Sequence, residues 1–415
     1  MGCLPPKTHR MIDPSRTALV LSGGGARAAY QVGVLKTLAA LRREAVGDAD
    51  SRVNPFGIIV GTSAGAINSA ALACHADDFN DAVARITEVW EHFHAEDVYR
   101  ADMLGVARNG AQWLTMLSIG WALARWRRFR PRSLLDNSPL IGLLQRVVPM
   151  NRLPTMLARR HVHALAVTAS SYSTGEHVTF YNSSQAIEPW VRSQRLAVPT
   201  ALSHEHLLAS AAIPFVFPAQ RLFSEGRSAW YGDGTMRQTA PLSPAIHLGA
   251  QRMLVIGAGR MHEPAAQRLA DRRYPSLAQI AGHAMSSIFL DAMAVDIERL
   301  ARINRTLSLL PAQALENTPL RPVECLVIAP SQRLDDIAAR HLDALPGPVR
   351  TLLHGAGVSK AGPQAQGSAL ASYLLFEAPY THALMALGEA DTLARREEVA
   401  RFFGWPQRRL AQPIV

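Results

Sequence analysis

The sequence predicts an α/β fold with a mainly parallel central sheet flanked by helices, and three observations support this. The short apolar run "TALVLS" (17–22) ends in a glycine cluster, and a second apolar run, "FGIIV" (56–60), also ends at a glycine turn. Residues 26–44 and 64–76, which follow these runs, have apolar or small residues at helical spacing. Two strand–turn–helix units in succession are typical of parallel strands joined by helices.

Further elements along the chain fit the same fold class. We expect two strands joined through a turn at Gly175, two more buried strands that complete the sheet, and a mostly helical remainder. In chain order, the predictions are helices within 80–145, strands at 163–171 and 177–182, a helix over 204–218 stopped by Pro214, a turn at 230–235, and strands at 252–259 and 323–330.

Composition sets limits on the class of protein. At 415 residues and 48% hydrophobic, the chain can bury a large core, as one extended domain or as two. A net charge of +10 favours an anionic partner, such as a membrane surface, a nucleic acid or an acidic substrate. The 3 cysteines lack CxxC spacing, so we expect reduced thiols and no cysteine metal site.

The termini and apolar runs bear on location. Residues 1–16 contain no apolar core of a signal peptide and are predicted to be a flexible tail. We found no clean run of about 18 apolar residues, so no transmembrane helix is predicted. The expectation is a cytoplasmic protein, or one held peripherally at the inner membrane surface.

The stretch "GTSAG" (61–65) is the first candidate for chemistry. It places Ser63 between Gly61 and Gly65 at a strand-to-helix turn, where a nucleophile can point outward on strained backbone. Glycines two positions away on either side relieve crowding at such a turn. Taken alone, the motif fits a nucleophile or a structural turn with a helix cap.

The glycine run "SGGGARAAY" (22–30) is the second candidate. Backbone N–H groups of Gly23, Gly24 and Gly25 could stabilise an oxyanion, and Arg27 could order the loop, bind a lipid phosphate or form a surface salt bridge. The run also resembles a dinucleotide fingerprint, but the expected acidic residue about 20 positions later follows no convincing strand.

The general base is the third question. The 15 histidines include none in a recognisable catalytic turn, whereas Asp233 lies in "YGDGT" (231–235) between two glycines. A simple turn aspartate and a presented carboxylate both fit this pattern. A histidine-dependent hydrolase remains a further alternative.

Together, the order and type of these motifs resemble the patatin-like phospholipase family. The likeness also covers "SAAIPFVFP" (210–218) and "RSLLDNSPL" (132–140). The resemblance implies a three-layer α/β/α fold, with Ser63 as nucleophile and Asp233, followed by Gly234, as base. It also implies that the glycine loop with Arg27 forms the oxyanion hole.

The implied activity is hydrolysis of fatty-acyl esters of phospholipids or lysophospholipids, without cofactor or metal. The likeness extends over 17–248, which we predict to be the catalytic region. Residues 249–415 are predicted to complete the sheet and add helices.

Two positions depart from the family pattern. Ala28 stands where the loop usually has a glycine, and it would strain the loop if that position required positive φ. Thr235 replaces the usual small residue after Asp-Gly, where it could crowd the site or donate a hydrogen bond to Asp233. These departures leave open a catalytically weak, lipid-binding or regulatory protein.

Residues 103–132 indicate how a lipid could be reached. Aromatic and basic side chains interleave there, which is typical of contact with an anionic membrane. The residues singled out are Trp113, Trp121, Arg125, Trp126, Arg127, Arg128 and Arg130. A core helix followed by a solvated basic loop fits equally well, no motif supports nucleic-acid binding, and the oligomeric state is left open.

Overall fold

The central sheet occupies the middle of the molecule. A computed structural model describes residues 13–100, 133–224, 226–261, 274–358 and 367–406. Within them the sheet has ten strands. They are β1 Thr17–Leu21, β2 Ile58–Thr62, β3 Ala164–Ser171, β4 His177–Ser183, β5 Val191–Arg192, β6 Arg195–Pro199, β7 Gln220–Ser224, β8 Arg227–Asp233, β9 Arg252–Ile256 and β10 Glu324–Ile328.

The strand order is β10-β9-β1-β2-β3-β4-β6-β5, with a β7–β8 hairpin beside β3. β10, β9, β1, β2 and β3 pair in parallel, which confirms the predicted mainly parallel sheet. β1, β2 and β3 are buried on both faces, as helix-covered parallel strands must be. The strand predicted near 252 is β9, which pairs with β1, and the strand predicted near 323 is β10, which pairs with β9.

Helices cover the sheet, and two hydrophobic clusters pack against it. The helices are α1 Ala29–Val46, α2 Asp48–Ser51, α3 Ala64–Cys74, α4 Phe79–Glu91, α5 Ala95–Val98, α6 Ser138–Val147, α7 Leu153–Ala158, α8 His204–Ser210, α9 Ser243–His247, α10 Leu277–Ser286, α11 Ala292–Ser308, α12 Ala312–Glu316, α13 Leu334–Arg340, α14 Gly347–Gly355, α15 Ser368–Leu374, α16 Ala378–Ala394 and α17 Arg396–Phe403.

Local sequence explains where several helices begin. The Asp78 carboxylate accepts the N–H groups of Asn80 and Asp81 at 3.0 and 3.1 Å and so caps α4. Ser276 and Gln279 form a reciprocal capping box at the start of α10. These bonds satisfy N–H groups that the first turn of a helix leaves without intrahelical partners.

Two predicted elements were wrong in detail. Residues 230–235 are not a turn: β8 runs on to Asp233, because it pairs with the end of β3. The helix predicted over 204–218 ends at Ser210, before Pro214, and Phe215 then adopts a φ of 64°. Strands β5, β6 and β7 were not predicted, since short edge strands carry little apolar pattern.

One helical stretch among the described residues, Leu277–Ser308, is long and apolar enough to cross a membrane by length and composition alone. It comprises α10, a π-helical turn and α11. Its residues Met293 and Leu300 are buried in a cluster against the sheet, and Asp296 accepts the Leu242 N–H at 3.0 Å. Of its most apolar 18-residue window, 28% is buried. One such stretch is weak evidence for a membrane span, because length and composition alone also select core helices and signal sequences.

Candidate active site

Ser63 occupies a strained turn between β2 and α3. Its backbone has φ 57° and ψ −131°, a conformation that non-glycine residues rarely adopt. The Ser210 hydroxyl accepts the Ser63 N–H at 2.8 Å and holds the turn. Strain maintained by the surrounding structure is typical of functional positions.

The two flanking glycines make this turn possible. A Cβ added to Gly61 would lie 2.4 Å from Ser69 Oγ, and one added to Gly65 would lie 2.5 Å from the Leu21 carbonyl oxygen. Any side chain at either position would push α3 away from the sheet. The glycines of "GTSAG" therefore fix how closely the helix behind Ser63 approaches β1.

The strand topology brings Asp233 to Ser63. β2 pairs with β3 up to Thr62 opposite Thr168, and the chain then turns away at Ser63. From Ala169 onward β3 pairs with β8 instead, and Asp233 lies opposite Ala169. β8 thus pairs with the edge of β3 that β2 no longer occupies. It ends beside the Ser63 turn.

Asp233 is completely buried, with one carboxylate oxygen held and the other free. Its Oδ1 accepts the Thr235 N–H at 2.9 Å and the Thr235 hydroxyl at 2.7 Å. Oδ2 has no hydrogen-bond partner among the described residues. Burial raises the pKa of Asp233 to about 6, and contacts with Ser63 and Thr235 lower it in part.

The Ser63 hydroxyl thus lies close enough to influence the carboxylate, although no bond of ordinary geometry reaches Oδ2. Such a pair can tighten when a substrate binds. Gly234 completes the motif, because a Cβ there would lie 2.4 Å from the Thr168 carbonyl oxygen.

The glycine loop, residues 23–25, lies against Ser63 and Thr235. A Cβ added to Gly23 would be 3.0 Å from Ser63 Cβ and 2.5 Å from Thr235 Cγ2. Among the described residues, the N–H groups of Gly23, Gly24 and Gly25 donate no hydrogen bond. Unpaired donors beside a nucleophile are suited to stabilise an oxyanion.

Arg27 is neither on the surface nor next to the cavity. Its side chain is 2% exposed and forms an ion pair with Asp335. Its Nε donates to Ser372 Oγ at 2.8 Å, and the guanidinium lies 4.0 Å from the centre of the Tyr373 ring. The expectations of a lipid-phosphate contact or a surface salt bridge were therefore wrong, and Arg27 anchors the loop to the C-terminal region.

The structure shows how Ala28 and Thr235, the two departures from the family pattern, fit into the site. Ala28 has φ −66°, so alanine fits there without strain. Thr235 does what was expected of it, because its hydroxyl bonds to Asp233 while its methyl lies next to Gly23.

An apolar cavity opens beside Ser63. It encloses about 650 Å³, including open solvent at its mouth, and about 50 Å³ is wide enough for the centre of a water molecule. Ser63 and Asn68 are polar exceptions in a lining of mostly apolar side chains. The lining residues are Gly25, Ser63, Ala64, Ile67, Asn68, Ala71, Ile86, Val89, Trp90, Phe93, Val98, Leu140, Leu143, Leu144, Val147, Ala211, Ile213, Phe217 and Phe376.

No histidine lines this cavity among the described residues. Two buried histidines, His177 and His206, have pKa values lowered to about 4 by desolvation. His206 pairs with Ser203 at the start of α8, which is a capping arrangement. Asp233 is therefore the group best placed to accept a proton from Ser63.

Several supporting residues had no signal in the sequence motifs. Ser210 holds the Ser63 turn, and Asn68, Gln31 and Trp90 form buried hydrogen bonds near the glycine loop. Ser210 does lie in the family-like segment 210–218. That segment pairs with the other such segment, since the N–H groups of Leu134 and Leu135 donate to residues 215 and 216.

The residues predicted to contact a membrane lie outside the described residues. They are Trp113, Trp121, Arg125, Trp126, Arg127, Arg128 and Arg130. The first twelve residues of the predicted N-terminal tail also lie outside them.

Comparison with known proteins agrees with these motifs. The family model described as patatin-like phospholipase matches residues 19–246, more than half of the chain. The uncharacterized protein YjjU of Escherichia coli K12 is 37% identical over 75 residues, which is 18% of each chain.

The chain is also similar to two solved structures, at low sequence identity. VipD of Legionella pneumophila is 12% identical with a TM-score of 0.30, and the alignment covers 90% of this chain and 67% of VipD. Human GIVD cytosolic phospholipase A2 is 13% identical with a TM-score of 0.36, and the alignment covers 94% of this chain and 59% of the human chain.

Proposed function

The chain belongs to the patatin-like phospholipase family, and from this premise we propose that it is a serine acyl hydrolase. Its substrates would be fatty-acyl esters of phospholipids or lysophospholipids. The observation that carries the proposal is the buried Asp233 carboxylate, whose Oδ2 has no partner among the described residues and which lies beside the strained Ser63 turn. A buried carboxylate base beside a serine on a strained strand-to-helix turn is suited to acyl transfer.

In the first half-reaction, Asp233 accepts the proton of Ser63 Oγ as that oxygen attacks the ester carbonyl carbon. The negative charge that develops on the carbonyl oxygen is stabilised by the free N–H groups of the glycine loop. Collapse of this tetrahedral intermediate breaks the ester bond. The alkoxide leaving group takes the proton from Asp233, and the acyl group stays on Ser63 as an ester.

In the second half-reaction, Asp233 accepts a proton from water, which attacks the acyl carbon. The second tetrahedral intermediate releases the fatty acid, and Ser63 Oγ takes the proton back from Asp233. A pKa of about 6 suits these transfers, because Asp233 is mostly ionised at pH 7 and basic enough to accept a proton.

The apolar cavity supports a long acyl group as the bound part of the substrate. Its lining is mostly apolar, with Ser63 and Asn68 as polar exceptions, and Ser63 forms part of its wall. An alkyl chain that enters it gains about 0.8 kcal/mol per buried methylene group. Water-soluble metabolites would gain little there, which favours lipid esters.

Hydrolysis of p-nitrophenyl butyrate and of a phospholipid and lysophospholipid panel tests this proposal. We expect the wild type to hydrolyse both classes, and Ser63→Ala and Asp233→Asn to lose at least 10³-fold in kcat. Ser184→Ala, at a partly buried serine that does not line the cavity, is the matched control.

A fluorophosphonate probe separates the enzyme from a catalytically weak lipid-binding protein. We expect labelling of the wild type and none of Ser63→Ala. Vesicle binding by a wild type that neither hydrolyses nor labels would favour the lipid-binding alternative.

We also propose that the enzyme reaches its substrate as a peripheral protein on an anionic membrane. The net charge of +10 and the interleaved arginines and tryptophans of 113–130 support this. Vesicle flotation with increasing phosphatidylglycerol should show increasing binding, and binding that is indifferent to lipid charge would contradict the proposal.

A further inference from the structure

A polar side chain stands in the wall of the apolar cavity. Asn68, on α3, is 2% exposed and lines the cavity with Ser63. A buried amide costs free energy unless its donors and acceptor are bonded. All of its bonds here are made to the protein, so the cavity gains no obvious polar anchor for a ligand from it.

The bonds of Asn68 lead to both ends of the glycine loop. Its Nδ2 donates to the Ala28 carbonyl at 3.4 Å and to Gln31 Oε1 at 3.2 Å. Gln31 Nε2 in turn donates to the Ser22 carbonyl at 2.7 Å. Ser22 immediately precedes the glycine loop and Ala28 follows it by three residues, so the two amides hold both flanks.

The same network reaches the far wall of the cavity. Trp90, on α4, is 5% exposed, lines the cavity and donates its indole N–H to Asn68 Oδ1 at 2.9 Å. Its ring stacks on Phe93 at 4.8 Å. Trp90 is therefore both a wall of the cavity and the donor that satisfies Asn68.

The chemistry of the groups permits one orientation of this chain of bonds. An indole N–H only donates, so the Asn68 atom that faces it must be the oxygen. A backbone carbonyl only accepts, so the Gln31 atom that faces Ser22 must be the nitrogen. Loss of the indole donor leaves Asn68 Oδ1 buried without a partner and frees the amide to rotate away from Ala28 and Gln31.

We propose that Trp90, Asn68 and Gln31 form a relay that positions the glycine loop for catalysis and ties its position to an acyl chain in the cavity. An acyl chain long enough to pack on the indole holds Trp90 in place. The Trp90 bond then keeps Asn68 oriented, and the two amides keep the loop N–H groups aimed at the oxyanion. A short acyl group leaves the indole without this contact, so that only neighbouring side chains such as Phe93 and Phe376 pack on its ring.

The relay rests on the proposed acyl hydrolase function and adds a chain-length dependence of kcat. Simple burial of a longer acyl chain would stabilise the ground state and the transition state equally. It would therefore lower KM without raising kcat. Alignment of the oxyanion donors acts on the transition state and therefore raises kcat. The three residues are positioning residues, since they act through the loop.

Trp90→Phe tests the relay, because it keeps an aromatic ring in the wall and removes the donor. We would measure kcat and KM for p-nitrophenyl acetate and p-nitrophenyl decanoate. In the variant, kcat for decanoate should fall about tenfold and kcat for acetate less than threefold, since one lost oxyanion donor costs about 10²-fold and the loop is only misaligned.

Two further variants sharpen the result. Leu143→Ala changes the cavity wall on α6, outside the hydrogen-bond network, and should mainly raise KM for decanoate. Trp190→Phe makes the matched substitution in the other hydrophobic cluster, where Trp190 stacks on His247, and should leave the ratio of the two kcat values unchanged.

Asn68→Ala removes the bond to the Ala28 carbonyl and the donor that orients Gln31, and it should lower kcat for both esters about 10²-fold. Equal kcat losses for acetate and decanoate in Trp90→Phe, with only a lower Tm, would show a structural role and overturn the relay. A wild type that hydrolyses neither ester would instead contradict the proposed function.

Discussion

Residues 17–248 and residues 249–415 contribute to the site in different ways. The first region carries the groups proposed to react, Ser63 and Asp233, and the glycine loop that follows β1. The second region carries what the loop rests on. Asp335 pairs with Arg27 from α13, and the Tyr373 backbone lies so close to the loop that a Cβ on Gly25 would be 2.3 Å from its carbonyl oxygen.

The difference shows that the matched family region does not contain a complete site. Further C-terminal contacts close around the loop: a Cβ on Gly24 would lie 2.7 Å from Ala258 Cβ, and one on Gly23 would lie 3.2 Å from Phe289. The family model ends at residue 246. We therefore expect the C-terminal region to be necessary for activity although it supplies no reacting group.

The largest expected effect comes from Asp335→Asn, which breaks the contact between the two regions. It leaves the Arg27 guanidinium buried without its counter-charge, a change that costs about 4 kcal/mol in buried pairs. Urea unfolding should show the lower stability, and kcat should fall more than tenfold as the loop loses its anchor.

Asp336→Asn is the matched control, because Asp336 is the exposed next residue on α13. It should change stability by less than about 0.5 kcal/mol. If Asp335→Asn kept full kcat at temperatures where it remains folded, the second region would only stabilise the fold. That result would contradict its expected role in activity.

The next largest effect comes from a residue of the first region, and it changes the free energy of unfolding in the opposite direction. Asp233→Asn should stabilise the protein at neutral pH by up to about 3 kcal/mol while it abolishes activity. The native pKa of about 6 exceeds the ordinary pKa of 3.8, so the folded state binds the proton more tightly than the unfolded state. The wild type therefore loses stability as pH rises between these values, and the asparagine variant does not.

Unfolding of both proteins from pH 4 to pH 8 measures this difference. The stability gap should be small near pH 4, grow to about pH 6 and stay constant above it. A gap that does not depend on pH would show that Asp233 titrates at its ordinary pKa in the folded protein.

Gly25→Ala gives a smaller effect at the junction of the regions. Gly25 has φ 55° and its added Cβ would collide with the Tyr373 backbone, so we expect a loss of about 2 kcal/mol and a displaced loop. Gly142→Ala on α6 is the control: a Cβ there meets only the Arg146 side chain, at 3.8 Å, and should stabilise by about 0.5 kcal/mol. Similar effects of both substitutions would argue against the close contact.

The smallest effect is a shift in pH dependence. Thr235→Val removes the hydroxyl that donates to Asp233 Oδ1 and should raise the pKa of Asp233 further, because a hydrogen bond to the carboxylate favours its charged form. The pH profile of kcat/KM should move upward accordingly, and Thr235→Ser should keep the wild-type profile. An unmoved profile in the valine variant would show that the backbone N–H alone holds the carboxylate.

Sequence reasoning succeeded where physical chemistry demands particular residue types. A parallel sheet requires continuous apolar strands, so β1, β2, β9 and β10 could be predicted from short runs. The turn at Ser63 requires glycines at 61 and 65, and the structure shows the atoms that exclude a side chain there.

Sequence reasoning failed where contacts between residues far apart in the chain determine the local structure. Nothing local distinguishes an Arg27 that faces solvent from one that pairs with Asp335, 308 positions later. "YGDGT" reads as a turn from its glycines, yet pairing with β3 extends the strand to Asp233. Asn68 and Gln31 look like ordinary helix residues, and their role depends on two helices that meet at the glycine loop.

The pH dependence of kcat/KM for p-nitrophenyl butyrate in the wild type and in Asp233→Asn tests the central claim most directly. If Asp233 is the base for Ser63, wild-type kcat/KM rises with pH through an apparent pKa of about 6 and levels off above pH 7. Asp233→Asn then loses at least 10³-fold at every pH. Retention of more than a tenth of the activity in Asp233→Asn, with the same pH profile, would contradict the claim.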